Sequence, residues 1–216
     1  MNKLICAAGL GLVMIGRTAS VFAADAGDPI FPSDIVNYKA RAEFIYENRQ
    51  RDLDNGLELQ ADVFMLRIHT DVGQSANLDF DLGAIDPTGG DLEFYGGIGL
   101  RMLAYDGESF RLSPYLQAHY APSFILDEVE YDDAIDGDAG LLFAYKIKLD
   151  KDLMIMPYAG PALSIIQLSG DADAGEDNVF GGVVGVSLLM PGQNSFRVEA
   201  QIFDQVSFSV AAGLAY

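Results

Sequence analysis

The last eleven residues of the chain alternate between apolar and small or polar side chains. The apolar ones are Val206, Phe208, Val210, Ala212, Leu214 and Tyr216. A period of two over this length predicts a β-strand with one apolar face. Strands of about 9–11 residues cross a bilayer at the tilt of a β-barrel, and a terminal aromatic ring is typical of the membrane interface. The segment therefore predicts a strand that spans a membrane.

This strand resembles the C-terminal assembly strand of bacterial outer-membrane β-barrel proteins, which ends on Phe, Trp or Tyr. The resemblance implies that Phe208, Val210, Leu214 and Tyr216 form an assembly signal read by the barrel assembly machinery. It also implies that the chain is exported to the outer membrane.

The other end of the chain predicts export. Lys3 precedes an apolar stretch from Leu4 to Gly16, and small residues lead to Ala23. This pattern is typical of a cleaved signal peptide over residues 1–23, with cleavage after Ala24 or a retained anchor helix as alternatives. The stretch is shorter than the about 20 residues that a transmembrane helix needs. Cys6 is the only cysteine, so a processed chain has no disulfide and no thiolate site.

Ten segments of the remaining chain show strand-like alternation or β-rich composition. We predict strands at Val36–Glu47, Leu57–Thr70, Ala76–Ile85, Leu92–Tyr105, Phe110–Ala121, Asp138–Leu149, Leu153–Leu168, Val179–Met190, Phe196–Phe203 and Val206–Tyr216. The fold class is an all-β, antiparallel, up-and-down transmembrane barrel over residues 36–216, with eight strands as the alternative count. Residues 24–35 are expected to form a periplasmic tail.

The connections alternate between short turns and longer acidic loops, which is typical of outer-membrane barrels. The longer ones are residues 48–56, 86–91, 122–137 and 169–178, and they lie outside the cell if Tyr216 lies in the periplasm. Segment Leu57–Thr70 breaks the alternation, because Glu58 and Asp62 have one parity and Arg67 the other. A bulge near Phe64–Leu66 would turn all of them toward the lumen.

Alternation alone does not say which face points inward. A soluble, lipocalin-like binding barrel places its apolar face inside, and it is the alternative to a membrane barrel. One face here carries Tyr and Phe near the strand ends, while the other carries charges of both signs. This distribution favours lipid outside and a polar lumen inside.

The polar faces predict a network of charged residues that lines the lumen: Lys39, Arg41, Glu43, Glu58, Asp62, Asp79, Asp81, Glu93, Arg101, Arg111, His119, Lys146, Lys148, Arg197 and Glu199. Its two signs balance. The whole chain carries −19, and loss of Lys3 and Arg17 with residues 1–23 leaves −21, so the excess is expected in loops and tail. This sign disfavours nucleic acid. The expected partners are outer-membrane lipids and lipopolysaccharide, with divalent cations as bridges.

The residues do not favour an enzyme. Counted from the strand ends, His69 falls near the periplasmic side and His119 near the outer side, too far apart to cooperate. Asp79-Phe-Asp81 resembles the Asp-x-Asp of the ten-stranded omptin proteases, but Gln117 stands where their second aspartate would precede His119. An outer-membrane barrel enzyme of omptin or lipid A-modifying type is therefore the alternative, and no catalytic residue, metal or cofactor is expected.

The general layout resembles small opacity-type and OmpA-transmembrane-type barrel proteins. The resemblance implies a structural, surface-interaction or narrow porin-like role. Large side chains such as Arg101, Arg111, Tyr95 and Tyr115 would fill much of a ten-stranded lumen. Glycines such as Gly97 and Gly185 remove volume from its wall.

Overall fold

The structure is a computed structural model that describes residues 25–31, 34, 40–73, 75–126, 129–150, 153–170 and 173–216. Ten long strands make up the fold: β1 Ala40–Asp52, β2 Glu58–Asp71, β3 Ala76–Pro87, β4 Glu93–Met102, β5 Phe110–Ala121, β6 Asp133–Tyr145, β7 Leu153–Ser169, β8 Phe180–Leu189, β9 Ser195–Ile202 and β10 Val206–Ala215. The signal peptide assigned to residues 1–23 lies outside the described residues.

Each strand pairs antiparallel with its neighbours in sequence, and β10 returns to pair with β1 from Arg41↔Ala215 to Asn48↔Phe208. The ten strands therefore form a closed barrel, which confirms the predicted fold class and the count of ten over eight. We call the end with Ala40 and Ala215 proximal and the opposite end distal.

Short secondary-structure elements lie at the two rims of the barrel. They are a 3-10 turn at Asp54–Gly56, the hairpin of Phe124–Leu126 with Val129–Tyr131, and short strands at Tyr105–Asp106, Ile147–Asp150 and Ala174–Gly175. Among the residues that the structure describes, no helix is long and apolar enough to span a membrane.

Strand β2 corrects one prediction. Its pairing with β1 runs unbroken from Ala40↔Thr70 to Asp52↔Glu58, so the bulge near Phe64–Leu66 is wrong. Glu58 and Asp62 consequently point outward. They lie at the distal end of the strand, where Tyr46 donates a hydrogen bond to Asp62 (2.8 Å). A polar outward position was mistaken for a luminal one because the apolar face ends before the strand does.

The apolar face of the barrel points outward. Phe44 is 59% exposed and Phe64 52%, and exposed apolar side chains continue along the other strands through Leu116, Val198 and Leu214. This direction is the one predicted, and it is the opposite of a lipocalin-like barrel, whose apolar side chains fill the interior.

The interior has two parts. Toward the distal end, buried apolar side chains pack into a cluster that we call the distal cap: Ile45, Leu53, Leu59, Ala61, Val63, Met65, Ile85, Tyr95, Ala121, Leu126, Tyr131, Ala134, Ile166, Leu168, Ala174 and Ala211. Leu126 and Tyr131 belong to the rim hairpin, which therefore folds over the mouth. The remaining interior is polar and strongly charged.

The proximal half of this interior holds residues 25–31, which we call the N-terminal plug. Asp25, Ala26, Asp28, Ile30 and Phe31 are all at most 1% exposed. Residues 24–35 were predicted to form a periplasmic tail, whereas residues 25–31 lie inside the barrel. Their aspartates are drawn inside because arginines of the wall provide counter-charges there.

Candidate functional site: the charged lumen and its plug

The lumen contains every arginine that the structure describes. The buried basic side chains are Arg41, Arg49, Arg51, Arg67, Arg101, Arg111 and Arg197, together with His69 and His119; the buried carboxylates are Asp25, Asp28, Glu43, Glu47, Asp79, Asp81, Asp136, Asp138 and Glu199. Seven guanidiniums thus face nine carboxylates, and the two imidazoles lie among them. Mutual pairing is needed because an uncompensated buried charge costs several kcal/mol.

The structure places nine of the fifteen predicted lumen residues inside: Arg41, Glu43, Asp79, Asp81, Arg101, Arg111, His119, Arg197 and Glu199. Glu93 is half-buried at the distal mouth. Glu58 and Asp62 point outward, Lys148 is exposed at the proximal rim, and Lys146 binds Asp106 at a proximal turn (2.5 Å). Lys39 lies outside the described residues.

Several charged lumen residues escaped the sequence analysis. Arg49 and Arg51 continue the charged parity of β1, which the prediction ended at Glu47. Asp136 lies in a segment that was predicted to be a loop. Following the alternation of charge past each strand's predicted end would have found all but the plug residues.

The two histidines lie in one network, which corrects the prediction that the barrel separates them. His69 Nδ1 contacts Asp79 (2.7 Å), and His119 Nε2 contacts Asp81 (2.6 Å), two residues further along β3. The prediction counted residues from strand ends. In a barrel the strands are tilted and staggered, so positions at different counts become neighbours along the hydrogen-bond direction.

Asp25 is the innermost anchor of the plug. Its carboxylate contacts Arg197 Nη1 (2.5 Å), Ser209 Oγ (2.6 Å) and Arg67 Nη1 (3.3 Å). The next residue continues the attachment, because the backbone N–H of Ala26 donates to Glu199 Oε1 (2.9 Å). Three strands, β2, β9 and β10, therefore hold one aspartate.

The plug is held at further points toward the proximal mouth. Asp28 pairs with Arg41 (3.2 Å), and its carbonyl accepts a hydrogen bond from Arg101. Arg111 donates to the carbonyl of Pro29 (2.8 Å), pairs with Asp34 and lies over the ring of Phe31 at 5.3 Å. An apolar contact adds to these, as Ile30 packs with Met154, Met156 and Leu189.

The same arginines are fixed by carboxylates of the wall. Arg67 makes a two-point contact with Asp81 (2.7 and 2.8 Å), and Arg101 binds Asp79 (2.6 and 3.0 Å). Arg197 Nη2 binds Glu43 (3.1 Å). Paired contacts of this kind set the orientation of a planar guanidinium.

Glycines of the wall provide space for ring side chains inside the lumen. Gly185 faces Tyr158 and Gly140 faces Tyr115 as cross-strand partners, and a Cβ on either glycine would overlap the ring. His119 lies over Gly97 in the same way. The glycine positions are therefore occupied by their neighbours, as expected of close contact rather than of a pore.

A second charged layer lies between the plug and the distal cap. Arg49 binds Glu47 (3.0 Å) and Asp136 (3.1 Å), and Tyr95 also donates to Asp136. Arg51 binds Gln201 (2.8 Å) and reaches Glu176 (3.3 Å) in the distal loop. Burial raises the pKa of the Glu176 carboxyl to about 7, although Arg51 opposes the shift.

The remaining predicted site lies on the outside. Phe208, Val210, Leu214 and Tyr216 all point outward, with Tyr216 69% exposed at the proximal end. Among the described residues, no group of three or more His, Cys, Asp or Glu is arranged to hold a metal ion.

Comparisons with known proteins give similar structures only. No family model matches the sequence, and no curated protein matches it. The chain is similar to the transport unit of the autotransporter AIDA-I from Escherichia coli, with 13% identity, a TM-score of 0.47 and coverage of 90% of this chain and 93% of that one. It is also similar to the COG4313 outer membrane channel from Pseudomonas putida F1, with 10% identity, a TM-score of 0.47 and coverage of 90% and 100%. The beta domain of the Bordetella autotransporter Brka follows with 11% identity, a TM-score of 0.44 and coverage of 82% and 98%.

Proposed function

We propose that this chain is an integral outer-membrane barrel with a closed lumen and a structural or surface-interaction role. The observation that carries the proposal is the combination of an outward apolar surface with an interior occupied by the plug, two charged layers and the distal cap. The fold is that of a membrane barrel, and its interior is that of a packed core rather than of a channel.

The outward surface supports the membrane part of the proposal. Exposed aromatic and aliphatic side chains occur on all ten strands. Soluble monomers, by contrast, rarely expose contiguous apolar patches larger than a few hundred Å². Lipid is the solvent in which this surface is stable. The proximal end, with Tyr216, faces the periplasm in this proposal, and the distal loops face the outside.

The interior supports a role without catalysis. His69, His119, Asp79 and Asp81 are at most 6% exposed, and they are bound to one another or to arginines. A catalytic group must be within reach of its substrate, and these groups are buried inside the barrel. The acidic connections that join β5 to β6 and β7 to β8 at the distal end are then the proposed surface for partners, including lipopolysaccharide bridged by divalent cations.

A narrow porin-like role is the second candidate. One observation favours it: the plug is a separate segment held by side-chain contacts, not part of the barrel wall. A conducting state would require both the plug and the distal cap to move.

Cysteine labelling in intact cells tests the proposal, since a chain processed after Ala23 has no native cysteine. Thr88→Cys in a distal loop should react with a membrane-impermeant thiol reagent, and Val72→Cys in a proximal turn only after permeabilisation. Ala211→Cys, buried in the distal cap, should stay protected from both sides. Labelling of Ala211→Cys, or protection of Thr88→Cys, would contradict the proposal.

A further inference from the structure

Four arginines contact the plug with the same part of the side chain. Nη1 of Arg67 and Arg197 points to Asp25, Nη1 of Arg101 to the carbonyl of Asp28, and Nη1 of Arg111 to the carbonyl of Pro29. These arginines come from β2, β9, β4 and β5, so the arrangement is built by the barrel as a whole.

The other nitrogens of the same guanidiniums bind the wall. Nε and Nη2 of Arg67 bind Asp81, those of Arg101 bind Asp79, and those of Arg111 bind Asp106 (3.1 and 2.9 Å). These carboxylates belong to β3 and to a proximal turn, so they stay when the plug leaves. The guanidiniums of Arg67, Arg101 and Arg111 therefore keep their orientation, with Nη1 directed into the space that the plug fills.

We propose that these four arginines, together with Arg41, form a binding site for ligands with paired carboxylates, and that the plug is its tethered resident ligand. Arg67 and Arg197 bind the carboxylate of Asp25, and Arg41 pairs with that of Asp28 (3.2 Å). Asp25 and Asp28 supply the two carboxylates, at most about 10 Å apart along the backbone. Free di- or tricarboxylates and acidic peptides share this chemistry. The site opens toward the proximal mouth, where the Asp106 side chain is 26% exposed.

The test uses the processed chain with Ala26→Cys, a small change at a residue that is buried beside Glu199. The rate at which a water-soluble thiol reagent modifies this cysteine reports release of the plug. A short tether gives an effective concentration in the mM range, so competition needs ligand at about mM or above. Citrate and a synthetic peptide of residues 25–31 are the two probes, each compared with NaCl at equal ionic strength.

We expect at least one probe to raise the modification rate about fivefold or more, in a saturable manner. Citrate activity identifies free carboxylates as ligands, and activity of the peptide alone identifies acidic peptides. The peptide with Asn in place of both aspartates should be inactive. The proposal is overturned if neither probe acts, or if the Asn peptide acts as well as the Asp peptide.

A variant of the full processed chain shows whether the cysteine at position 26 responds to release of the plug. Asp25→Asn with Asp28→Asn, in the Ala26→Cys background, should react fast without any ligand. Persistent protection in this variant would show that carboxylates do not anchor the plug, and it would also overturn the proposal. Ile30→Cys provides a second reporter on the same segment. The closed lumen is tested separately by the Ala211→Cys labelling in the distal cap, so the two proposals fail independently.

Discussion

The carboxylate of Asp25 lies 2.5 Å from the guanidinium of Arg197, 172 residues further along the chain. Both side chains are buried, and Glu43 and Glu199 share the same arginine. One cation thus holds the first described residue of the chain against β9, the penultimate strand. The contact joins the plug to the wall.

Removing the guanidinium of Arg197 should destabilise the folded barrel. Arg197→Met leaves Asp25, Glu43 and Glu199 close together without their common partner, and we expect the free energy of unfolding to fall by about 3–5 kcal/mol. Urea unfolding in detergent, followed by gel mobility, measures it. Lys148→Met is the control, because Lys148 is exposed and its loss should change stability by less than about 0.5 kcal/mol. Equal effects of the two substitutions would contradict the buried pairing.

Packing of rings on glycines gives a second prediction. Gly185→Ala puts a methyl group into the ring of Tyr158, and overpacking of this kind costs about 1–3 kcal/mol. Gly182→Ala on the same strand is the matched control, since its Cβ would lie 3.3 Å from the nearest atom, the carbonyl oxygen of Gly160. Thermal unfolding of both variants should rank Gly185→Ala clearly below Gly182→Ala, and the reverse order would argue against the filled lumen.

The distal loop should respond to pH through Glu176. Its folded pKa of about 7 lies above its ordinary value of 4.5 because burial favours the protonated form. The folded state therefore binds its proton more tightly than the unfolded state, and stability falls as pH rises from about 4.5 through 7. Urea midpoints between pH 5 and 8 should show this decline, and Glu176→Gln should reduce it. A decline of the same size in the variant would assign it to another group.

The C-terminal aromatic gives a prediction about assembly. Tyr216→Ser should lower the amount of folded barrel in the outer membrane, because the terminal aromatic belongs to the proposed assembly signal. Tyr145→Ser is the matched control, as Tyr145 is also an exposed tyrosine (53%) at the proximal end. Heat-modifiable gel mobility of membrane fractions measures folded protein. Equal losses in the two variants would mean that interfacial tyrosines matter generally and that the end of the chain has no special part.

Local pattern was enough to predict the barrel, but not its interior. Strand β5 was predicted with both its ends, Phe110 and Ala121, and the count of ten followed from the same period of two. Periodicity reports which residues share a face and where alternation stops. Periodicity was sufficient for the strands because the alternation within each strand does not depend on contacts with distant segments.

Contacts between distant segments explain what was missed. The plug has no strand pattern, and its place depends on arginines from several strands, so the acidic sequence looked like a solvated tail. The adjacency of His69 and His119 depends on the stagger between strands, which residue counts along single strands do not contain. Glu58 and Asp62 were wrongly assigned to the lumen. The alternation of side chains shows which residues share a face, but it does not show where along a strand the outward apolar band ends.

Single-channel conductance of the processed, refolded protein in a planar bilayer tests the closed barrel most directly. The plug, the charged layers and the distal cap together predict that the protein inserts without discrete current steps. Insertion is verified independently by heat-modifiable mobility of the reconstituted protein. Reproducible current steps from the unsubstituted protein would contradict the account, and substitutions at Arg101 and Arg111 would then show whether the current passes through the lumen.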